Sequence, residues 1–361
     1  MNTRLYRYLE ISLFVTAIRR ELHRRVRSHA FPCGLYVMYD CADIIYEFIK
    51  LGQDPNLLVR ETGDSPLHLS LTFTYDYYNK SVFALLDMGA NPNLSNREGL
   101  TPLHVVCKNY HDNIRGVMIL LELINEKYQP LQIDAKDKLG RTPLQWAVVS
   151  CLPDTIKFLL DRGADVSSFV FPTETHFAEG LEMLISIFGE DLFKDYIPLD
   201  LMKSINNLEE GGYEVDQIDA STIMKIFAKY GLLKKTPGLD EYLRSDEEFV
   251  KWAKEFMINP SWSLYDLLQL RPEKAAKLLK CTDYSELWRK SPYKFESELK
   301  NACVVHLCEI KLREIFQPWA LDLMLKLTDY QLPILCCDTI IEKLMSEDLW
   351  RIYLAVTGQN L

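Results

Sequence analysis

Leu100-Thr101-Pro102-Leu103-His104 decides the fold, because the chain writes it three times. Asp64-Ser65-Pro66-Leu67-His68 precedes it by 36 residues, and Arg141-Thr142-Pro143-Leu144-Gln145 follows it by 41. A serine or threonine ahead of proline is a helix start. The hydroxyl accepts from free N–H groups of the first turn, and proline's fixed φ suits the first helical position. The leucine and the apolar residues after it bury against a neighbour. A second apolar segment then stops at a glycine turn, as in Leu85-Leu86-Asp87-Met88-Gly89-Ala90-Asn91-Pro92-Asn93 and Leu159-Leu160-Asp161-Arg162-Gly163-Ala164-Asp165. Gly89 and Gly163 stand where a helix ends in the left-handed conformation. Asn91-Pro92-Asn93 reads as a turn into an extended finger. A fainter copy, Phe48-Ile49-Lys50-Leu51-Gly52-Gln53-Asp54-Pro55-Asn56, places a degenerate repeat ahead of the first clear one. One such unit cannot bury its apolar face alone, so the units stack.

This pattern resembles the ankyrin repeat across Asp43 to Ser168. Two departures stand inside it. The 41-residue spacing implies extra residues around Ile124 to Ile133, as a longer inter-helix or finger loop. Gln145 replaces the usual histidine, which loosens one hydrogen bond. His68 and His104 invite a metal or catalytic reading, but neither has a carboxylate or cysteine at ligand spacing. The resemblance implies that each hydrogen-bonds within its repeat.

The 361 residues carry a net charge of −10, with 48% hydrophobic and 25% charged residues. That balance excludes a whole-chain role in coating nucleic acid and leaves room for a local basic patch. No apolar run approaches the length that spans a bilayer. Seven arginines lie among the first 28 residues. They fit either a mitochondrial presequence or an amphipathic first helix packed on the repeats with its arginines in water. The nine cysteines are odd in number and sit in apolar contexts, which suits reduced thiols in a cytoplasmic protein.

From Phe169 onward the repeat motif stops while helical periodicity continues, through Leu181, Leu184, Ile185 and Phe188 and through Ile223, Ile226 and Phe227. Thr175-His176-Phe177-Ala178 reads as a decayed repeat. No low-complexity linker interrupts the chain, so one continuous helical body is expected. Ser263 caps a helix with Asp266 in its first turn, and Leu264, Leu267 and Leu268 share its core face. Further on, Pro333 starts a helix with an apolar stripe of Ile340, Ile341 and Leu344, and Ser346 caps a second with Glu347 and Asp348 in its first turn.

Leu332-Pro333 followed by this spacing of Ile, Leu and Asp348-Leu349 resembles the core of an F-box. A truncated F-box after ankyrin repeats is the layout of the PRANC family of poxviruses, parasitoid wasps and insect endosymbionts. Ser263-Leu264-Tyr265-Asp266-Leu267-Leu268 looks similar to its wasp members. The expected architecture is all-α: a helical cap at 1–42, ankyrin repeats at 43–168, helices with degenerate repeats at 169–260 and an F-box-like domain at 261–361. The resemblance implies an adaptor. Leu332, Pro333, Ile340, Ile341, Leu344, Asp348 and Leu349 would dock on the Skp-type linker of a cullin–RING ubiquitin ligase while the repeats hold a target. Two departures are Leu335, where the family often has an acidic residue, and the twelve residues after Leu349. The alternative for this hairpin is a cap on the solenoid.

No phosphate-binding glycine loop, HExxH or GxSxG motif occurs, so neither catalysis nor a cofactor is expected. Cys303, His306 and Cys308 lie on different faces of a helix and read as core residues. A target protein would meet finger tips and inner helices. Those offer Asn96, Arg97, Glu98, Lys136, Asp137 and Lys138, with Tyr75, Tyr77 and Tyr78 either joining them or packing onto the next repeat. A second functional class stays open: an inhibitor that masks a signalling factor, IκB-like, using the repeats alone.

Overall fold

The computed structural model describes residues 41–72, 80–109, 114–122, 130–233, 244, 246–270 and 297–358. The described residues are mostly helical, as the sequence predicts. It divides into two compact units between Ser168 and Phe169, where one continuous helical body was expected.

In the first unit, α1 (Cys41–Lys50) is the outer helix of the degenerate repeat. Three helix pairs follow: α2 (Pro66–Thr72) with α3 (Lys80–Asp87), α4 (Pro102–Cys107) with α5 (Ile114–Glu122), and α6 (Pro143–Val149) with α7 (Pro153–Asp161). The inner helices α2, α4 and α6 pack in one row, and α1, α3, α5 and α7 in another. The two rows meet on Leu67, Leu103, Leu144, Leu85, Leu120 and Leu159, each almost fully buried. Thr101 and Thr142 cap α4 and α6 as the motif requires, each accepting from the backbone N–H three residues on. Gly89 and Gly163 take φ of 97° and 89°.

The second unit is built on α8 (Glu174–Glu210), which breaks at Gly189, α9 (Gln217–Lys229) and the long α12 (Ser297–Leu327). Thr173, not Thr175, opens α8, its hydroxyl accepting from the His176 backbone. Counted from the finger, Thr173 and His176 stand where Thr101 and His104 stand two repeats earlier. Between these helices come α10 (Glu247–Glu255), a short hairpin of β1 (Met257–Asn259) and β2 (Trp262–Ser263), and α11 (Leu264–Gln269). Leu264, Leu267 and Leu268 are all buried on one face. The Ser263 hydroxyl and the Asp266 carboxylate cap α11 reciprocally. Last come α13 (Ile334–Ile341) and α14 (Ser346–Thr357). The helix α12 packs against α8, α9, α13 and α14, so helices from both sides of residue 260 share one core.

Candidate protein-binding surfaces

The fingers are the first surface, and hydrogen bonds running from repeat to repeat hold them. Asn56 donates to the Gly89 carbonyl at 3.1 Å and accepts from Asn91 N–H. Asn93 makes the same pair with Pro130 and Gln132 one repeat later. Asp134 keeps the accepting half, taking the Asp165 N–H at 3.1 Å. At the tips the Arg97 N–H donates to Thr62 (2.9 Å) and the Lys138 N–H to Glu98 (3.0 Å). This close stacking needs glycine. Gly99 has φ +82°, and a Cβ on it would sit 2.7 Å from Lys138 N.

The histidines belong to this scaffold and reach further than their own repeats. The Thr101 N–H donates to His104 Nδ1 at 3.1 Å, which fixes Nδ1 as acceptor and leaves Nε2–H to donate to the Arg141 carbonyl at 3.0 Å. His68 does the same between Ser65 and Leu100. Burial pushes both imidazoles below the ordinary 6.5, outweighing the carbonyls they face. In the third repeat Gln145 Oε1 accepts from Thr142 N–H at 2.8 Å, so the substitution keeps the bond within the repeat.

Of the residues expected to meet a target, the structure divides the described ones in two. Arg97, Glu98, Lys136 and Lys138 are exposed at the tips. Asn96 and Asp137 instead fold the fingers. Asn96 Oδ1 accepts from Glu98 and Leu100 N–H, and Asp137 Oδ1 from Leu139 and Arg141 N–H. Asp137 is 6% exposed, and its Oδ2 takes Arg141 Nε and Trp146 Nε1. Although burial pushes its carboxyl up, these donors outweigh it and hold the group below its ordinary range. Tyr75, Tyr77 and Tyr78 lie outside the described residues, as do 124–129 of the extra residues expected around Ile124 to Ile133.

The second surface is the α13–α14 hairpin. Only Cys337 and Ile341 of α13 are buried. Pro333 and Ile340 are exposed, Leu332, Leu344 and Asp348 are half-buried, and Leu349 is buried. Ile334 and Leu335 stand further out, 57% and 80% exposed. Among the docking candidates, Ile341 and Leu349 thus brace the hairpin from inside, while Pro333 and Ile340 face outward.

What positions the hairpin is a pair of charges one turn apart on α12. Arg313, 2% exposed, donates to the carbonyls of Ile341 (3.1 Å) and Leu344 and, at 3.4 Å, to that of Glu342. Glu309 accepts the Ser346 N–H at 2.8 Å. A cation thus meets the C-terminal end of α13 and an anion the N-terminal end of α14, as helix dipoles favour. Burial nevertheless raises the Glu309 carboxyl above its ordinary value. Ser346 is not the cap that the sequence suggests: it is the first helical residue, and Asp348 reaches back to the Met345 N–H instead. No motif marks Glu309 or Arg313, and the other charged residues of α12 give no local signal that sets these two apart.

Among the described residues no cluster of histidine, cysteine and carboxylate could hold a metal, and no helix is long and apolar enough to cross a membrane. Cys308 is buried, while the Cys303 side chain lies outside the described set.

Residues 72–169 match the family model of ankyrin repeats in three copies. The chain is 31% identical over 130 residues to an ankyrin repeat protein of Variola virus, covering 36% of this chain and 21% of that protein. It is 33% identical over 127 residues to Rabankyrin-5 of Homo sapiens, covering 35% and 10%. A B-cell lymphoma 3 protein homolog of Mus musculus is 30% identical over 186 residues, 49% of this chain and 38% of that protein. The chain thus spans about a fifth of the length of the variola relative.

Proposed function

We propose that this protein is an adaptor: its ankyrin repeats capture a target protein, and its C-terminal hairpin docks on the Skp-type linker of a cullin–RING ubiquitin ligase in the cytoplasm. Ankyrin repeats are a scaffold for protein–protein interaction, and the fingers here leave Arg97, Glu98, Lys136 and Lys138 in solvent. The observation that carries the docking half is α13. It turns Pro333, Ile334, Leu335 and Ile340 outward while buried charges on α12 fix its position. A rigid helix with an apolar outer face binds at little entropic cost. The contacting set in this reading is Pro333, Ile334 and Ile340 with the half-buried Leu332, Leu344 and Asp348, and Ile341 and Leu349 act from behind.

The test is co-purification of the full-length chain with a purified Skp-type linker, beside Ile334→Glu/Ile340→Glu. Binding by the first and its loss in the second, with equal circular dichroism, is the expected result. Equal recovery of both, or of neither, would overturn docking. The second reading, masking of a signalling factor by the repeats alone, is favoured by the match to the B-cell lymphoma 3 protein homolog. It would then stand.

A further inference from the structure

The cations of the repeat array are unevenly placed. Arg97, Lys136 and Lys138 are exposed on the second and third finger tips, and Lys108 ends α4 with its ammonium 4.5 Å from the centre of the Trp146 ring. Lys50, Arg141 and Arg162 are drawn into ion pairs with carboxylates. Arg97, Lys108, Lys136 and Lys138 have none among the described residues.

Hydrogen bonds and a ring contact link the segments that carry these four. Lys138 is tied through its N–H to Glu98, the neighbour of Arg97, and Trp146, beneath Lys108, donates to Asp137 between Lys136 and Lys138. Of the acids nearby, only Asp137 is neutralised by an ion pair among the described residues. Asp137 is enclosed by Arg141 and Trp146, and Asp134 receives the Asp165 N–H. Glu98, Asp134 and Glu61 remain exposed and leave the three exposed tip cations interspersed with acids. Leu139, beside Lys138, is 73% exposed and offers an apolar anchor at the same tip.

We propose that the finger side of the second and third repeats recognises an acidic polypeptide segment, with an apolar residue of that segment seated on Leu139. This rests on the target-capture reading and adds the chemistry of the target. A patch of this size governs the field within about 8 Å at physiological ionic strength. A short acidic segment stays inside that range, whereas a long nucleic acid runs past it along a chain of net charge −10. Leu139 also gives a phosphate backbone nothing to bind.

The experiment uses the full chain and a fluorescein-labelled peptide alternating glutamate and leucine, with binding read by anisotropy. The expected result is salt-sensitive binding that Lys136→Glu/Lys138→Glu weakens more than roughly tenfold, since attraction becomes repulsion. Leu139→Ser should weaken it less, and Lys157→Glu, exposed on the outer helix α7, should leave it unchanged. Equal weakening by Lys157→Glu would overturn the proposal, as would tighter binding of a single-stranded DNA of matched charge. A photoreactive group at position 139 separates this proposal from the reading beneath it. Cross-linking of an extract protein that survives the charge reversal would sink the acidic-segment proposal and spare target capture. Absence of both cross-link and peptide binding would sink the two together.

Discussion

The repeat array and the C-terminal hairpin solve the same problem, satisfying helix ends in a packed interior, in opposite ways. In the array the solution is local and repeated. Thr101 and His104 close one repeat and reach the next, Ser65 and His68 do so before them, and Thr142 with Gln145 closes the third. In the hairpin the solution is single and distant. Arg313 and Glu309 reach across 28 and 37 residues of sequence to the ends of α13 and α14. A periodic solution spreads its energy over nearest neighbours. A single one concentrates it.

That contrast is sharpest at Arg313. Replacing it with methionine strands the carbonyls of Ile341 and Leu344 and removes a cation that favours the charged form of the buried Glu309. The expected cost is about 3–5 kcal/mol. Hydrogen exchange should show protection lost across 334–357 and retained across 66–161. Leu103→Ala, at a residue with no exposed surface, should cost about 2–5 kcal/mol by opening a cavity between stacked repeats. Its exchange signature should be the reverse, with α2, α4 and α6 loosened and α14 untouched. Protection lost in both places for either variant would mean that the two units do not behave separately.

Acid should trouble the array. His68 and His104 titrate lower when folded than the ordinary 6.5, so below that value the unfolded chain binds more protons. Their contribution is complete above about pH 6.5 and is lost as pH falls from there through the folded values. Urea melts of the array should therefore weaken between neutral and mildly acidic pH. His68→Gln/His104→Gln, which copies the third repeat's own Gln145, should flatten that dependence. The smallest effect belongs to Arg97→Ala. Its side chain is exposed, and the change should move stability by no more than about 0.5 kcal/mol in the same melts.

The array is legible in the sequence because its rules are local. Thr-Pro-Leu-His specifies a cap, a first turn and a buried leucine within four residues, and the structure uses each as the chemistry requires. Asn96 and Asp137 are harder to read, since an Asx side chain on a finger can face solvent or fold the loop. The decision falls to Arg141 and Trp146, which enclose Asp137 from positions further along. In the second unit the pattern points to Thr175 as the start of a decayed repeat and Thr173 does the capping, a two-residue slip that only the finger's length corrects. Ser346 is a cap by residue type, but Glu309, from another helix, already serves its N–H. Long-range charges of this kind leave no periodic trace. Ile341 and Leu349 likewise are docking candidates by spacing alone, and their burial follows from α12, which no local pattern announces.

The tip bonds carry a consequence for anyone wishing to lengthen this protein. Thr62 to Arg97 and Glu98 to Lys138 are 35 and 40 residues apart along the chain, yet the two bonds measure 2.9 and 3.0 Å. Finger register is thus counted in hydrogen bonds, and a five-residue difference in spacing leaves the tip bond unchanged. A repeat of either length can therefore be added to the stack provided that its finger keeps these tip donors and acceptors.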